Sequence, residues 1–188
     1  TGIHRFQTEL LQTMIAANKN VALSMEQFSR GEQAVVNDYL AGEIGEDTLI
    51  EQGNAWPNYS SDYRPLVELA KAEQIDIIAA NAPKNTIRCI GKEGISYLDK
   101  LPADERAWLA ANINTQDSAY KTHFMASMHH GDENQNDNKF ASQVTWDETM
   151  AESIVNYLLD NSNKPLVSDL NKQVMHIAGK FHIENGLG

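Results

Sequence analysis

Apolar positions in the opening segment "TGIHRFQTELLQTMIAA" fall at helical spacing: Phe6, Leu10, Leu11, Met14 and Ile15. This predicts an amphipathic helix. "NVALSMEQF" switches to an alternation of Val21, Leu23 and Met25, the period of a strand. "MEQFSRGEQAVVNDYLAGE" returns to helical periodicity and stops near Gly42, and "GEDTLIEQGN" reads as a short acidic helix. "SDYRPLVELAKAEQ" is a further helix, with Ser60, Ser61 or Asp62 as its N-cap. "IDIIAANAPKN" is a second strand followed by a proline turn, and a helix over residues 86–98 is interrupted between Gly91 and Gly94.

The next stretch carries no strand. "LPADERAWLAANI" predicts a helix with Pro102 at its first turn, and "DSAYKTHFMASMHH" another. "GDENQNDN" is polar and turn-prone, which predicts a solvated loop. "KFASQVTWDETMAESIVNYLLDN" is the longest helical pattern in the chain, and "QVMHIAGKFH" supplies a third strand. Strands alternating with helices predict an α/β fold: a largely parallel sheet flanked by helices, in a single domain over residues 1–188. Residues about 100–142 form a helical excursion before the long C-terminal helix.

Composition narrows the function. With 188 residues, 41% hydrophobic, and three tryptophans, the chain can build a real core. A net charge of -11 argues against nucleic acid as a partner, which needs clustered Lys and Arg. The lone Cys89 rules out an intrachain disulfide and any cysteine-built zinc or haem-attachment motif. No apolar run approaches the ~20 residues that span a bilayer.

Ligands of open parallel sheets bind beyond the carboxyl ends of the strands. The first strand ends at Glu26, the second at "NAPK" with Asn81 and Lys84, and the third at "GKFH" with His182. Strands generally end in polar residues at the surface, so it is the convergence of all three, rather than any one, that marks a cleft. The long helix adds Asp147, which falls in an apolar stripe of Phe140, Val144, Ala151, Ile154 or Val155, and Leu158, with Gln143 one turn earlier. A carboxylate on a buried face needs a partner. Two readings stand: Asp147 caps a neighbouring helix or pairs with a lysine, or it faces the cleft of Glu26 and His182. "YKTHFMASMHH" gathers Tyr120, His123, Met125, Met128, His129 and His130, residue types that ligate haem or soft metals and that also make ordinary helix cores. "AWPNYSSDYRPL" brings Trp56, Tyr59 and Tyr63 together beside Arg64, as a packed aromatic corner or as a phenol donor near a cleft.

Four blocks then carry a resemblance: "ALSMEQFSRGEQAVVNDYLAGEI", "WPNYSSDYRPLVELAKAEQIDIIAANAPKN", "ASQVTWDETMAESI" and "HIAGKFHIENGLG". Together they resemble the ChaN-like haem-binding uptake proteins, in a superfamily with the Tiki metalloproteases and erythromycin-esterase-like proteins. The resemblance runs end to end. It implies a parallel α/β fold, haem binding linked to bacterial iron acquisition, and a cell-envelope setting, in the periplasm or lipid-anchored at the outer membrane, beside outer-membrane haem or iron uptake components. It further implies that the family's first strand, with a G-E-x-H motif, precedes Thr1 and that His4 matches that motif's closing histidine. Two departures stand out: Lys84 replaces an arginine after "NAP", and Phe181 replaces a glycine before His182, a position where a positive φ would be costly for phenylalanine.

The resemblance implies two functions. In the first, haem takes Tyr63 or Tyr120 as axial ligand, with Lys84, His129 and His130 as further cofactor contacts, and a homodimer covers both faces of the flat ring. In the second, a divalent metal held by His4, Glu26 and His182 supports a Tiki-like hydrolase, with Asn81, Lys84 and Asp147 completing the cleft. A structural envelope protein with a vestigial cleft is the plain alternative.

Overall fold

A computed structural model describes residues 2–128, 131–159 and 171–184 of the chain. Helix α1 (Gly2–Ala17) leads into strand β1 (Val21–Ser29). A 3-10 turn follows, then α2 (Gln33–Ala41) and α3 (Glu46–Gln52). Next come α4 (Arg64–Glu73), β2 (Ile77–Asn81) and α5 (Lys84–Glu93). The excursion holds α6 (Ala103–Arg106) and α7 (Ala119–Ser127). The chain then runs through α8 (Glu133–Leu159), β3 (Gln173–Ile177) and α9 (Lys180–Ile183).

The strands form an all-parallel sheet in the order β2-β1-β3. This is the α/β fold the periodicity predicts. β1 is central and buried from Val21 through Phe28, as expected of a parallel strand covered on both faces. Its alternation sorts residues between two layers. Val21, Leu23 and Met25 join Ile77, Ala79, Met175 and Ile177 in a core closed by α1, α2 and α4, through Leu11, Ile15, Val36, Leu66 and Val67. On the opposite face Ala22, Ile78, Ala80 and Val174 meet Trp146, Met150 and Tyr157 of α8. The small residues Ala22 and Ala80 leave room for the indole of Trp146.

Register slips once. Met25 pairs with Ala79, yet Ser29 pairs with Asn81, so β1 spends four residues where β2 spends two. Such a bulge re-aims side chains beside functional sites. The outer edge of β2 is closed by a side chain: Gln33 Nε2 donates to the Ile77 carbonyl, and the Ala79 N–H donates to Gln33 Oε1, both at 2.8 Å. One amide thus occupies backbone groups that would otherwise invite another strand.

Several predicted details are corrected. Phe6 and Leu10 of the α1 stripe stay 61% and 39% exposed, while Leu11 and Ile15 are buried. The helix after β1 starts at Gln33, because Glu26 to Ser29 remain in the strand; its Gly42 end, with a left-handed φ of 79°, is as predicted. Ser60, Ser61 and Asp62 do not cap α4. They lie in a π-helical turn, Tyr59–Tyr63, and α4 starts at Arg64 with Pro65 in its first turn. The helix predicted over 86–98 begins earlier, at Lys84, and its expected interruption between Gly91 and Gly94 falls at Gly94, whose φ of 85° suits glycine and where α5 gives way to a 3-10 segment, Ile95–Lys100.

The helix predicted from "LPADERAWLAANI" is one turn long. Arg106 folds the chain back by donating to the carbonyls of Leu109, Ala110 and Ala111. "GDENQNDN" is largely helical: α8 begins at Glu133, with Asp132 Oδ1 accepting the Gln135 N–H at 2.8 Å as its cap. Polarity there reflects an exposed helix face rather than a loop. The stripe on α8 also departs from prediction. Phe140 and Val144 are buried, but Ala151 and Val155 are exposed, and Met150 and Ser153 carry the buried face onward. A helix enclosed between α5, β2 and α7 buries Phe140 through Thr145 without a break, so a single stripe does not describe it.

Arg30 fastens this layer to the end of β1. It donates to Ser153 Oγ at 2.8 Å and the Thr149 carbonyl at 2.9 Å, and pairs with Glu152 at 3.0 Å.

Candidate functional site

Beyond the carboxyl ends of β1 and β2 lies an open cavity of about 500 Å³, within the usual size range of small-molecule sites. Glu26, Asn81 and Lys84, three of the sequence candidates, line it. The bulge explains why Glu26 and its neighbour Gln27 both reach this space, where a regular strand would send them to opposite faces. Trp56 enters from the layer of α1 and α4, and Trp146 from α8. Lys84 is exposed at the start of α5. Asn81 is occupied structurally: its Nδ2 donates to the Glu26 carbonyl at 2.9 Å, and its Oδ1 accepts the Ala82 N–H at 2.8 Å.

Behind Glu26 stands a buried polar network. Asp147 meets His182 and Tyr120 rather than a lysine or a helix end, and neither Asp147 nor His182 lines the cavity. His182 Nδ1 lies 2.5 Å from Asp147 Oδ1, and its Nε2 is 3.6 Å from Glu26 Oε1. A carboxylate only accepts, so Nδ1 carries a proton toward Asp147. Tyr120 O–H donates to Asp147 Oδ2 at 2.7 Å, and Gln143 Nε2 sits 2.9 Å from His182 Nδ1. The Gly179 N–H donates to Glu26 Oε2 at 2.5 Å. Burial pulls the His182 pKa down, but the hydrogen bond and charge of Asp147, with Glu26 beyond, outweigh it, and the net shift is upward.

Two further members went unnoticed in the sequence. His176 Nδ1 lies 2.9 Å from Ser24 Oγ, on the sheet face shared with Glu26. Burial, followed by the charge of nearby His182, lowers its pKa. The available signal was period 2: His176 and Ser24 interrupt apolar strands on the face opposite Met175, Ile177, Leu23 and Met25.

Phe181 takes no positive φ. It lies within α9 and packs against Tyr120, His123 and Phe124, so it neither distorts the turn nor covers the cleft. Gly179 also has an ordinary φ of -63°, and an added Cβ would meet Glu26 and His182 at 3.5 and 3.6 Å, normal contact distances.

The other candidates fall elsewhere. His4 on α1 pairs with Asp62 at 3.1 Å and packs edge-on to Tyr63; it does not join Glu26 and His182. Tyr63 belongs to the α1 and α4 core beside Trp56. Burial raises its pKa, against the pull of the Asn58 and Gln27 amides. Tyr120, also raised first by burial and then by Asp147, sits in a separate cluster with Phe124 and Phe140. His129 and His130 lie outside the described residues. Among the described residues, no three His, Cys, Asp or Glu side chains are arranged to hold a metal ion.

The sequence profile of a family described as haem-binding uptake, Tiki superfamily, ChaN, matches residues 1–188, the whole chain. The chain belongs to this ChaN family. Comparison with curated proteins and with solved structures returned no match. Haem is thus the cofactor of the family, and among the described residues iron-ligand side chains occur in several places, including His4 with Tyr63, His176 near His182, and the set around α7. The cavity wall holds no His, Tyr, Met or Cys. Around α7, by contrast, Tyr120, Met125, Met128 and Phe181 are partly buried, and His123 stacks on Phe181 at 6.0 Å. Among the described residues no helix is long and apolar enough to cross a membrane.

Proposed function

We propose that this chain binds haem for a bacterial iron-uptake system, and that haem docks on the α7 surface rather than in the strand-end cavity. Membership of the haem-binding uptake family carries the general reading. The distribution of side chains supports the location: half-buried apolar groups with imidazole, thioether and phenol gather at α7, and none of these ligand types lines the cavity. Of the two phenols named as axial ligands, Tyr120 is the one on this surface. Its proton is committed to Asp147, and burial holds it protonated. His123 is half-buried with no such commitment to a carboxylate and is the stronger candidate in this conformation, with His129 and His130 following it in sequence. A half-open surface covers one face of a flat macrocycle, so a second copy would cover the other. The envelope location, lipid anchor and outer-membrane partners are part of the same proposal.

The test is a hemin titration followed by the Soret band. Wild type should give a saturable shift, His123→Ala should change its position or weaken binding, and Lys84→Ala should not. A saturable shift lost in Lys84→Ala but kept in His123→Ala and Tyr120→Phe would move haem to the cavity. Absence of any saturable shift would remove the haem reading.

A second reading, a metal-dependent hydrolase, has one supporting observation. Asp147 holds Nδ1 of His182 and leaves Nε2 toward Glu26, as carboxylate partners orient metal-ligating histidines. Elemental analysis of purified protein decides it: stoichiometric metal lost in Glu26→Gln supports the reading, and metal-free protein refutes it.

A further inference from the structure

We infer that the exposed face of α5 is a docking surface for an acidic helix of a partner protein. The inference does not rest on the haem reading. It starts from where the chain leaves its positive charge unused.

Outside α5, the described lysines and arginines are all engaged within the chain. Most form ion pairs, such as Lys19 with Glu73 and Arg64 with Glu46. The rest sit on amides, carbonyls or rings, as Arg106 does on the Ala110 and Ala111 carbonyls and Lys71 over Tyr39. Among the described residues, Lys84, Arg88 and Lys92 are the only lysines and arginines with no ion pair, hydrogen bond or ring contact. All three are exposed, and all three lie on α5.

Their spacing makes them a row. Residues four apart on a helix share a side and stand about 6 Å apart along its axis. The opposite side of α5 is buried through Thr86, Ile87 and Ile90. From α8, Ser142 Oγ donates to the Ile87 carbonyl at 3.1 Å and Asn138 Nδ2 to the Lys92 carbonyl at 3.3 Å, so the row stands on a helix fastened from behind. The row does not help the fold. Like charges four apart destabilise a helix, and Lys84 opens α5, where the helix dipole disfavours a cation. A partner's carboxylates would remove both penalties.

The row selects a narrow partner. Carboxylates four apart on another helix repeat at the same spacing and can run beside it. Arg88, at the centre, presents a guanidinium fork that takes a carboxylate through two parallel hydrogen bonds. Wider polyanions fit poorly. The chain has a net charge of -11, Glu93 ends α5, and Asp99 and Asp104 follow it, all exposed. An anionic membrane or a nucleic acid would meet these carboxylates along with the row. A single helix, about 10 Å across, meets the row alone, and charges more than about 8 Å away are largely screened at physiological ionic strength.

Fluorescence anisotropy of the full chain with a labelled alanine-based helical peptide carrying three glutamates four residues apart tests the inference. The peptide should bind saturably at low salt and about tenfold more weakly at 0.5 M salt. Arg88→Gln should weaken it several-fold, and Lys84→Gln, Arg88→Gln and Lys92→Gln together should abolish binding with the far-UV circular dichroism unchanged. Lys19→Gln should have no effect. A peptide with the same glutamates placed two residues apart should bind clearly more weakly, and phosphatidylglycerol vesicles should not sediment the chain. No saturation with the spaced peptide, equal binding of both peptides, or undiminished binding by the triple variant would each overturn the proposal. Sedimentation with vesicles that the triple variant loses would overturn it in favour of a membrane.

Discussion

The two faces of the central strand are built in opposite ways. Toward α1 and α4, Val21, Leu23 and Met25 join a core built mainly of aliphatic and aromatic side chains. Toward α8, Ser24 and Glu26 alternate with Ala22, and the polar set continues through His176, His182 and Asp147. Both faces are buried, so the difference is one of composition at equal exclusion from water. The apolar face is held by transfer from water and close packing. The polar face is held only if each group finds a partner, because an unpaired buried charge costs several kcal/mol. One face is therefore tolerant in shape but strict in volume, while the other is strict in pairing, and that pairing places Glu26 at the cavity.

The largest break of this comparison is Leu23→Ala. Leu23 is fully buried, and truncation should cost about 2–5 kcal/mol in denaturant unfolding with the polar network unchanged. Asp147→Asn attacks the other face. It removes a charge-assisted bond from His182 and should cost about 1.5–3 kcal/mol near neutral pH.

The pH dependence gives that variant a specific signature. His182 has a raised folded pKa, so its contribution is complete below the ordinary value of 6.5 and is lost as pH rises through the folded value. His176 has a lowered pKa, so its contribution is present above 6.5 and is lost as pH falls through the folded value. Imidazole C–H resonances should titrate on opposite sides of 6.5, and Asp147→Asn should bring the His182 midpoint down. Two midpoints on the same side in wild type would contradict the network.

Ser24→Ala should cost about 1 kcal/mol by leaving His176 Nδ1 without its partner, with no change at Leu23 or Met25. Smallest is Gly179→Ala, within about 0.5 kcal/mol of wild type, since neither φ nor space demands glycine there. Gly179→Pro fits the same φ but removes the N–H that Glu26 accepts, and should be clearly worse than alanine. Equal behaviour of the two variants would show that this hydrogen bond does not matter.

Much of the framework was legible in the chain. Period 2 in "VALSM" and "IDIIA" and helical spacing in "VELAKAE" found the strands and α4, since burial on a regular element imposes its own repeat. The strand-end rule placed Glu26, Asn81 and Lys84 around one cavity. It did not show that Asn81 would be consumed in backbone bonds, or that His4 would turn to Asp62. Tyr63 and Tyr120 look equivalent in sequence, yet they lie in different layers. His176 escaped notice because a single polar residue in a short strand has no periodic companion of its own.

The amino-acid sequence alone determined the elements that repeat, the parallel α/β class, and the carboxylates and histidines available to a site, because periodicity and residue chemistry are local properties. Only the tertiary structure decided that a bulge turns Glu26 and Gln27 into one cavity, that α8 delivers Asp147 to His182 from 35 residues away in the chain, and that Tyr120 spends its proton there. Those outcomes depend on which surfaces meet when the layers pack, and no local pattern records that.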